Sequence, residues 1–122
     1  MRLAGAMIYV KDLARLRGFY EGTLGLRAIE ETRTDSYVEF DAGGVRFALH
    51  AIPAHMAEGI EISCPPRVRE TNPVKLIFAV DDLEREQARL QSLGVTVIAR
   101  PWGGCDGIDP EGNVFGIHQT NQ

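Results

Sequence analysis

Two histidines close two nearly identical phrases, DAGGVRFALH (Asp41 to His50) and DPEGNVFGIH (Asp109 to His118). An imidazole changes charge near neutral pH, so His50 and His118 are candidates for hydrogen bonding to a ligand or for acid–base work. The plainer reading makes each a strand-end residue that caps backbone groups near a pocket mouth. Joined by Glu39 they could hold a metal, but two imidazoles without a demonstrable third ligand are a weak site, and no metal or other cofactor is expected. Lys75 opens a strand-like run; it either reaches solvent along its stem or points inward, to attract a carboxylate or phosphate or to pair with a glutamate. Trp102, followed by two glycines in RPWGGCDG, reads either as an aromatic lid on a flexible loop, suited to a planar ligand, or as a residue packing the module interface. Cys64 and Cys105 lack CxxC spacing and neighbouring histidines, which points to free thiols in a reducing compartment, and nothing beside Cys105 marks it as a nucleophile. His55 reads as a solvated loop residue, Asp109 and Asn113 as turn formers.

The elements that must position these residues come in duplicate. AMIYVKDL (Ala6 to Leu13) returns as LIFAVDDL (Leu76 to Leu83), with Val10 and Val80, Asp12 and Asp82, Arg15 and Arg85 each 70 residues apart. A helical pattern follows each run. In the first, Leu13, Leu16, Phe19, Tyr20 and Leu24 recur near a 3.6 period behind Asp12 as N-cap. In the second, Leu83, Leu90 and Leu93 form the stripe, and Asp81 with Glu84 has capping-box spacing. Both helices are expected to stop at glycine, in LGL and LGV. Strands are expected at RAIEETR (Arg27 to Arg33), YVEFD (Tyr37 to Asp41) and VRFALH (Val45 to His50), then at TVIAR (Thr96 to Arg100) and NVFGIH (Asn113 to His118), with RPWGGCDG as the turn before the last strand. The result is an α+β chain of two βαβββ modules, read as a single domain over 1–122: module 1 about 4–51, a connector about 52–73, module 2 about 74–120. The connector is proline-bearing, with one strand-like piece, GIEIS (Gly59 to Ser63).

Side chains alternate along a strand, so Gly5, Met7 and Tyr9 share a face, as do Ala48 and His50, Lys75 and Ile77, and Gly116 and His118. Phe47 and Phe115 have the opposite parity and belong to the core, with Phe19 and Tyr20 meeting it from the helix.

Composition narrows the partners. The chain has 122 residues, 44% hydrophobic and 25% charged, with a net charge of −4. No lysine and arginine stripe offers phosphate neutralisation, so nucleic acid is not expected, and no apolar run is long enough for a bilayer. Without a basic region leading into an apolar one at the front, a cytoplasmic protein is expected.

VKDLxxxxxFYxxxLGL in the first module and DPEGNxxxIHQ closing the second resemble the vicinal oxygen chelate superfamily: glyoxalase I, extradiol dioxygenases, fosfomycin-resistance enzymes and bleomycin-resistance proteins. The resemblance covers nearly the whole chain apart from the connector. It implies a glyoxalase/bleomycin resistance-like fold, in which each module curls its sheet into a half-barrel and two halves close around a pocket. It also implies a homodimer, although the long connector permits the two modules to pair either within one chain or across two. Metal-dependent members take ligands from the start of the first strand and from the last strand of each module; those places resemble Gly5, Ala48, Lys75 and Gly116 here. Glycine and alanine have no donor atom and a protonated lysine has no lone pair, so the family metal site is not expected. The small residues would instead widen an uncharged-walled cavity for an organic guest. Met7, Tyr9, Ala48, His50, Lys75, Trp102, Gly116 and His118 are the expected ligand contacts. The implied function is metal-free binding of an antibiotic or metabolite, with no catalytic residue beyond the candidates His50 and His118. The alternative is a lyase, isomerase or dioxygenase with relocated ligands or a metal-independent acid–base pair; a structural or regulatory role is neither supported nor excluded.

Overall fold

The computed structural model describes residues 1–120 and divides the chain into two compact units, one ending at Ile62 and the other beginning at Ser63. In unit 1, β1 (Gly5–Val10) leads into α1 (Leu13–Arg17), which continues as a π-helical stretch (Gly18–Thr23). Then follow β2 (Arg27–Thr34), β3 (Tyr37–Asp41), β4 (Arg46–Ala51) and a single helical turn, α2 (Ala54–Ala57). Unit 2 repeats the order with β5 (Leu76–Val80), α3 (Leu83–Ser92), β6 (Val97–Ala99), β7 (Cys105–Ile108) and β8 (Val114–Gln119). The two sheets share one topology, β1-β4-β3-β2 and β5-β8-β7-β6. In each the first strand lies parallel to the last, a pairing that needs a crossover, and the helix supplies it. The expected α+β architecture of two βαβββ modules is therefore the observed one.

Local chemistry explains the boundaries. The Asp12 carboxylate accepts the Arg15 N–H at 3.1 Å and caps α1. Gly25 (φ 81°) and Gly94 (φ 85°) end the two helical segments in the left-handed conformation that glycine adopts without a Cβ penalty. Three expectations are corrected. α3 is capped by Asp82, which accepts from Arg85 N–H at 3.1 Å, whereas Asp81 accepts from the Thr120 hydroxyl at 3.2 Å. GIEIS forms no strand; the ordered piece of the connector is α2, just before it. The stretch taken as one turn before the last strand contains a strand of its own, β7, so Trp102 lies between β6 and β7. CDGI carries none of the usual strand signals except its final isoleucine, and its glycine is there for packing: a Cβ on Gly107 would lie 2.4 Å from Phe115 Cζ.

Each unit buries one face of its sheet. In unit 1 Leu16 and Tyr20 are fully buried with Val38, Phe40 and Leu49, and Tyr20 meets Phe47 edge-on at 5.0 Å between centroids. Burying a side chain of this size is worth about 1.5–3 kcal/mol. In unit 2 Leu90, Phe115 and Ile117 are buried, with Phe78 edge-on to Phe115 at 5.9 Å. The aromatic residues assigned to the core by parity are all in it. The opposite face of each sheet carries Met7, Tyr9, Ala48 and His50 in unit 1 and Gly116 and His118 in unit 2.

Candidate functional site: the open faces of the two sheets

Register aligns the functional side chains in rows. In unit 1 Met7 pairs with Ala48 and Ala48 with Glu39, while Tyr9 pairs with His50 and His50 with Tyr37. His50 is thus flanked by two aromatic rings, Tyr9 at 5.5 Å and Tyr37 at 6.2 Å. Its Nδ1 lies 2.8 Å from the Ala51 carbonyl oxygen. A carbonyl only accepts, so Nδ1 is the donor in this contact, and in the neutral form of the ring the lone pair is then on Nε2. Beside this row, Glu39 accepts from the Tyr37 hydroxyl at 2.8 Å, from Arg46 Nη1 at 3.0 Å and from the Thr32 hydroxyl at 3.3 Å. The hydrogen bond to the Glu39 carboxylate, assisted by burial, pushes the Tyr37 phenol above its ordinary value. Past the end of the row lies a cavity of about 780 Å³ lined by Lys11, Ser36, His50, Pro53, Ala57 and Glu58 among others.

Unit 2 carries the equivalent row Ile77, Gly116, Asp106, Ile98. The Asp106 side chain is 6% exposed; Lys75 Nζ reaches Oδ1 at 2.6 Å and Arg100 Nε reaches Oδ2 at 2.9 Å. Burial alone would raise the Asp106 carboxyl, but the hydrogen bonds from Lys75 and Arg100 outweigh it and hold the group below its ordinary value. Lys75 and Arg100 each stand 5.9 Å from the centroid of Trp102. His118 is exposed, and its ring lies over Gly104.

Met7, Tyr9, Ala48, His50, Gly116 and His118 lie on these faces, Lys75 just precedes β5 and Trp102 lies in the loop between β6 and β7; several come together: Tyr9 with His50, Lys75 with Trp102, Gly116 with Lys75. His50 and His118 belong to different units. Two expectations are corrected. The walls are charged, by Glu39 and Arg46 in unit 1 and by Lys75, Asp106 and Arg100 in unit 2. Nor do the small residues leave vacancies: a Cβ on Gly5 would lie 2.5 Å from the Arg46 carbonyl oxygen, and one on Gly116 would touch Lys75 Cε at 3.4 Å. The Trp102 loop is also closed by its own backbone, Arg100 N–H donating to Gly104 O at 2.9 Å and Gly103 N–H to Arg100 O at 3.1 Å. Sequence reading passed over Asp106, Arg100, Arg46 and Tyr37. Asp106 had a signal, its equivalence to Glu39 across the repeat, hidden because the β7–β8 turn is one residue longer than the β3–β4 turn.

The family's divalent ion does not fit these residues. Gly5 has no room for any side chain, Ala48 and Gly116 offer no donor, and the Lys75 ammonium is itself a cation bonded to Asp106. Among the described residues no three His, Cys, Asp or Glu side chains gather into a group that could hold a metal ion. Cys105 is buried, which together with the neighbouring Asp106 charge raises its thiol and makes the thiolate scarce.

A duplicated βαβββ unit with parallel outer pairing and one open sheet face defines a class of small α+β proteins. The profile of the Glyoxalase/Bleomycin resistance protein/Dioxygenase superfamily matches residues 2–117, and the chain belongs to that superfamily. A glyoxalase/bleomycin resistance protein/dioxygenase family enzyme from Burkholderia phytofirmans PsJN superposes with a TM-score of 0.72 at 23% identity, covering 97% of this chain and 98% of that one. Fosfomycin resistance protein FosX from Mesorhizobium loti gives 0.66 at 20% identity, covering 96% and 90%. An antibiotic binding protein from Streptomyces sp. CB03234 gives 0.63 at 23% identity, covering 98% and 95%. At such identities the likeness is one of fold. Among curated proteins no sequence relative matches. No helix among the described residues is long and apolar enough to cross a membrane.

Proposed function

We propose that this chain binds a small organic molecule, an antibiotic or metabolite, without the divalent ion used by metal-dependent members of its superfamily. The observation that carries the reading is the state of the ligand positions: Gly5 is closed by the Arg46 backbone and Lys75 is paired with Asp106. Met7, Tyr9, Ala48 and His50 in unit 1, and Lys75, Trp102, Gly116 and His118 in unit 2, are the proposed ligand contacts. The antibiotic binding protein from Streptomyces lends the reading a precedent of fold. A cytoplasmic homodimer, testable by light scattering, is part of the proposal. Metal analysis of protein purified without chelator tests its core: one tightly held divalent ion per chain would defeat it. Thermal-shift measurements against aromatic antibiotics and small dicarbonyl compounds would then search for the guest, since a ligand at about a hundred times its dissociation constant stabilises by roughly 2.7 kcal/mol.

A second reading, metal-independent acid–base catalysis of a lyase or isomerase kind, is favoured by one feature, the Ala51 carbonyl that fixes the tautomer of His50. In that tautomer Nε2, beside a cavity, has the lone pair a general base needs. Under this reading His50→Gln removes turnover while ligand affinity persists; under the first it weakens binding and there is no turnover to lose.

A further inference from the structure

We propose that the open face of unit 2 is an anion subsite, and that its guest is a planar aromatic compound bearing a carboxylate or a phosphate. The inference rests on the small-molecule reading above and names the chemistry of that guest. Two cations share one carboxylate here, so the cluster of Lys75, Arg100 and Asp106 keeps one uncompensated positive charge in a chain whose overall balance is −4. Asp106 holds both cations by its two oxygens, but only the Nε edge of Arg100 is used. Among the described residues its two Nη groups have no hydrogen-bond partner, and the Arg100 side chain is 33% exposed. A guanidinium with a free planar edge is the side chain best matched to the paired oxygens of a carboxylate or phosphate. Trp102 stands against both cations and is 68% exposed, so the charge adjoins an open aromatic surface. The backbone bonds that close the Arg100 to Gly104 loop fix the backbone that carries Trp102 before any guest arrives, which lowers the part of the binding cost that comes from ordering the loop. Ile77, 57% exposed, extends the apolar part of the face. The position that would carry a ligand for a divalent ion instead supplies an ammonium, a fixed cation that cannot be chelated away.

Trp102 is the only tryptophan, so its indole N–H resonance in a ¹H–¹⁵N spectrum reports on this subsite alone. Three matched probes are titrated, 2-naphthoate, 2-naphthyl phosphate and the neutral 2-naphthamide. Saturable shifts are expected for at least one anion, with the amide about tenfold weaker or worse. The better anion identifies the headgroup. Arg100→Gln should weaken the anions about fivefold or more and leave the amide unchanged, and Trp102→Ala, followed by calorimetry, should weaken all three. Equal affinity for amide and anions, anion affinity unmoved by Arg100→Gln, or no shift at about 10 mM of any probe would overturn the proposal. An amide that outbinds both anions sinks the charge assignment while small-molecule binding stands; a stoichiometric divalent ion sinks the reading beneath it.

Discussion

Replacing Gly5 by alanine sets two opposed effects against each other, and their sign tests whether the first family ligand position is closed. Glycine within a strand costs about 0.5–1 kcal/mol relative to alanine, so Gly5→Ala would ordinarily stabilise. Here the new Cβ would lie 2.5 Å from the Arg46 carbonyl oxygen, 3.1 Å from Arg46 Cβ and 3.2 Å from its carbonyl carbon. Two of these three are backbone atoms of the paired strand, so relief requires β1 and β4 to separate at the residue that starts their register. Overpacking of this kind costs about 1–3 kcal/mol, which leaves a net loss of about 1 kcal/mol. With a urea slope of roughly 1–3 kcal/mol per molar, the midpoint falls by about 0.5 M at unchanged slope. Gly18→Ala is the control: Gly18 has helical φ and ψ with nothing within 4 Å of a built Cβ, and the change should stabilise by about 0.5 kcal/mol. If Gly5→Ala proves as stable as the parent, the β1 end gives way freely, a histidine could be housed there, and the closure argument fails.

Asp106→Asn should cost about 2 kcal/mol, discounted for the partial exposure of both cations, because two positive groups then face each other over a neutral amide. The same carboxyl titrates below its unfolded value in the folded state. Its contribution is therefore complete above about pH 4 and is lost as pH falls through the depressed folded value, and Asp106→Asn should flatten this acid limb of a stability profile. Gly112→Ala should cost about 3 kcal/mol or prevent folding, since Gly112 has φ +86° and a Cβ there would lie 2.0 Å from the Arg67 carbonyl oxygen; expression with circular dichroism would show it. A thiol reagent should modify exposed Cys64 at once and Cys105 only on unfolding, so one fast equivalent is expected and two would contradict the buried placement.

Local signals recovered most of the fold because they act within a few residues. Asp12 before an apolar stripe is a cap wherever it occurs, and YVEFD and LIFAV have the alternation or bulk that a strand needs. What escaped was set by partners distant in sequence. Nothing near Gly107 announces the Phe115 ring that makes glycine necessary, so β7 read as part of a turn. Between Asp81 and Asp82 the backbone decides, and Asp82 is the one whose carboxylate reaches Arg85 N–H. At the site, the resemblance, with the repeat spacing in agreement, pointed to Gly5, Ala48, Lys75 and Gly116; the structure has Gly5 in β1, Ala48 in β4 and Gly116 in β8, with Lys75 just before β5. The occupancy of those places was invisible, because it depends on Arg46 lying beside Gly5 and on Arg100 reaching around to Asp106.

Comparing the two copies shows how one residue type sets the character of a whole face. Glu39 and Asp106 occupy equivalent places, each paired across the ladder with a small residue of the last strand, Ala48 in unit 1 and Gly116 in unit 2. In unit 1 one cation, Arg46, answers one carboxylate, and the Tyr37 and Thr32 hydroxyls use the remaining acceptor capacity. That face closes as a neutral network with an imidazole between aromatic rings. In unit 2 the residue equivalent to Gly5 is Lys75, and its ammonium takes one oxygen of a carboxylate that already holds Arg100. The extra cation turns a balanced pair into a positively charged trio, and its stem passes beside Gly116, where a built Cβ would meet Cε at 3.4 Å. The repeat therefore supplied two copies of one acceptor, and the residue at the equivalent place, Gly5 in one copy and Lys75, just before β5, in the other, sets the difference: a balanced carboxylate in unit 1 and an excess cation in unit 2.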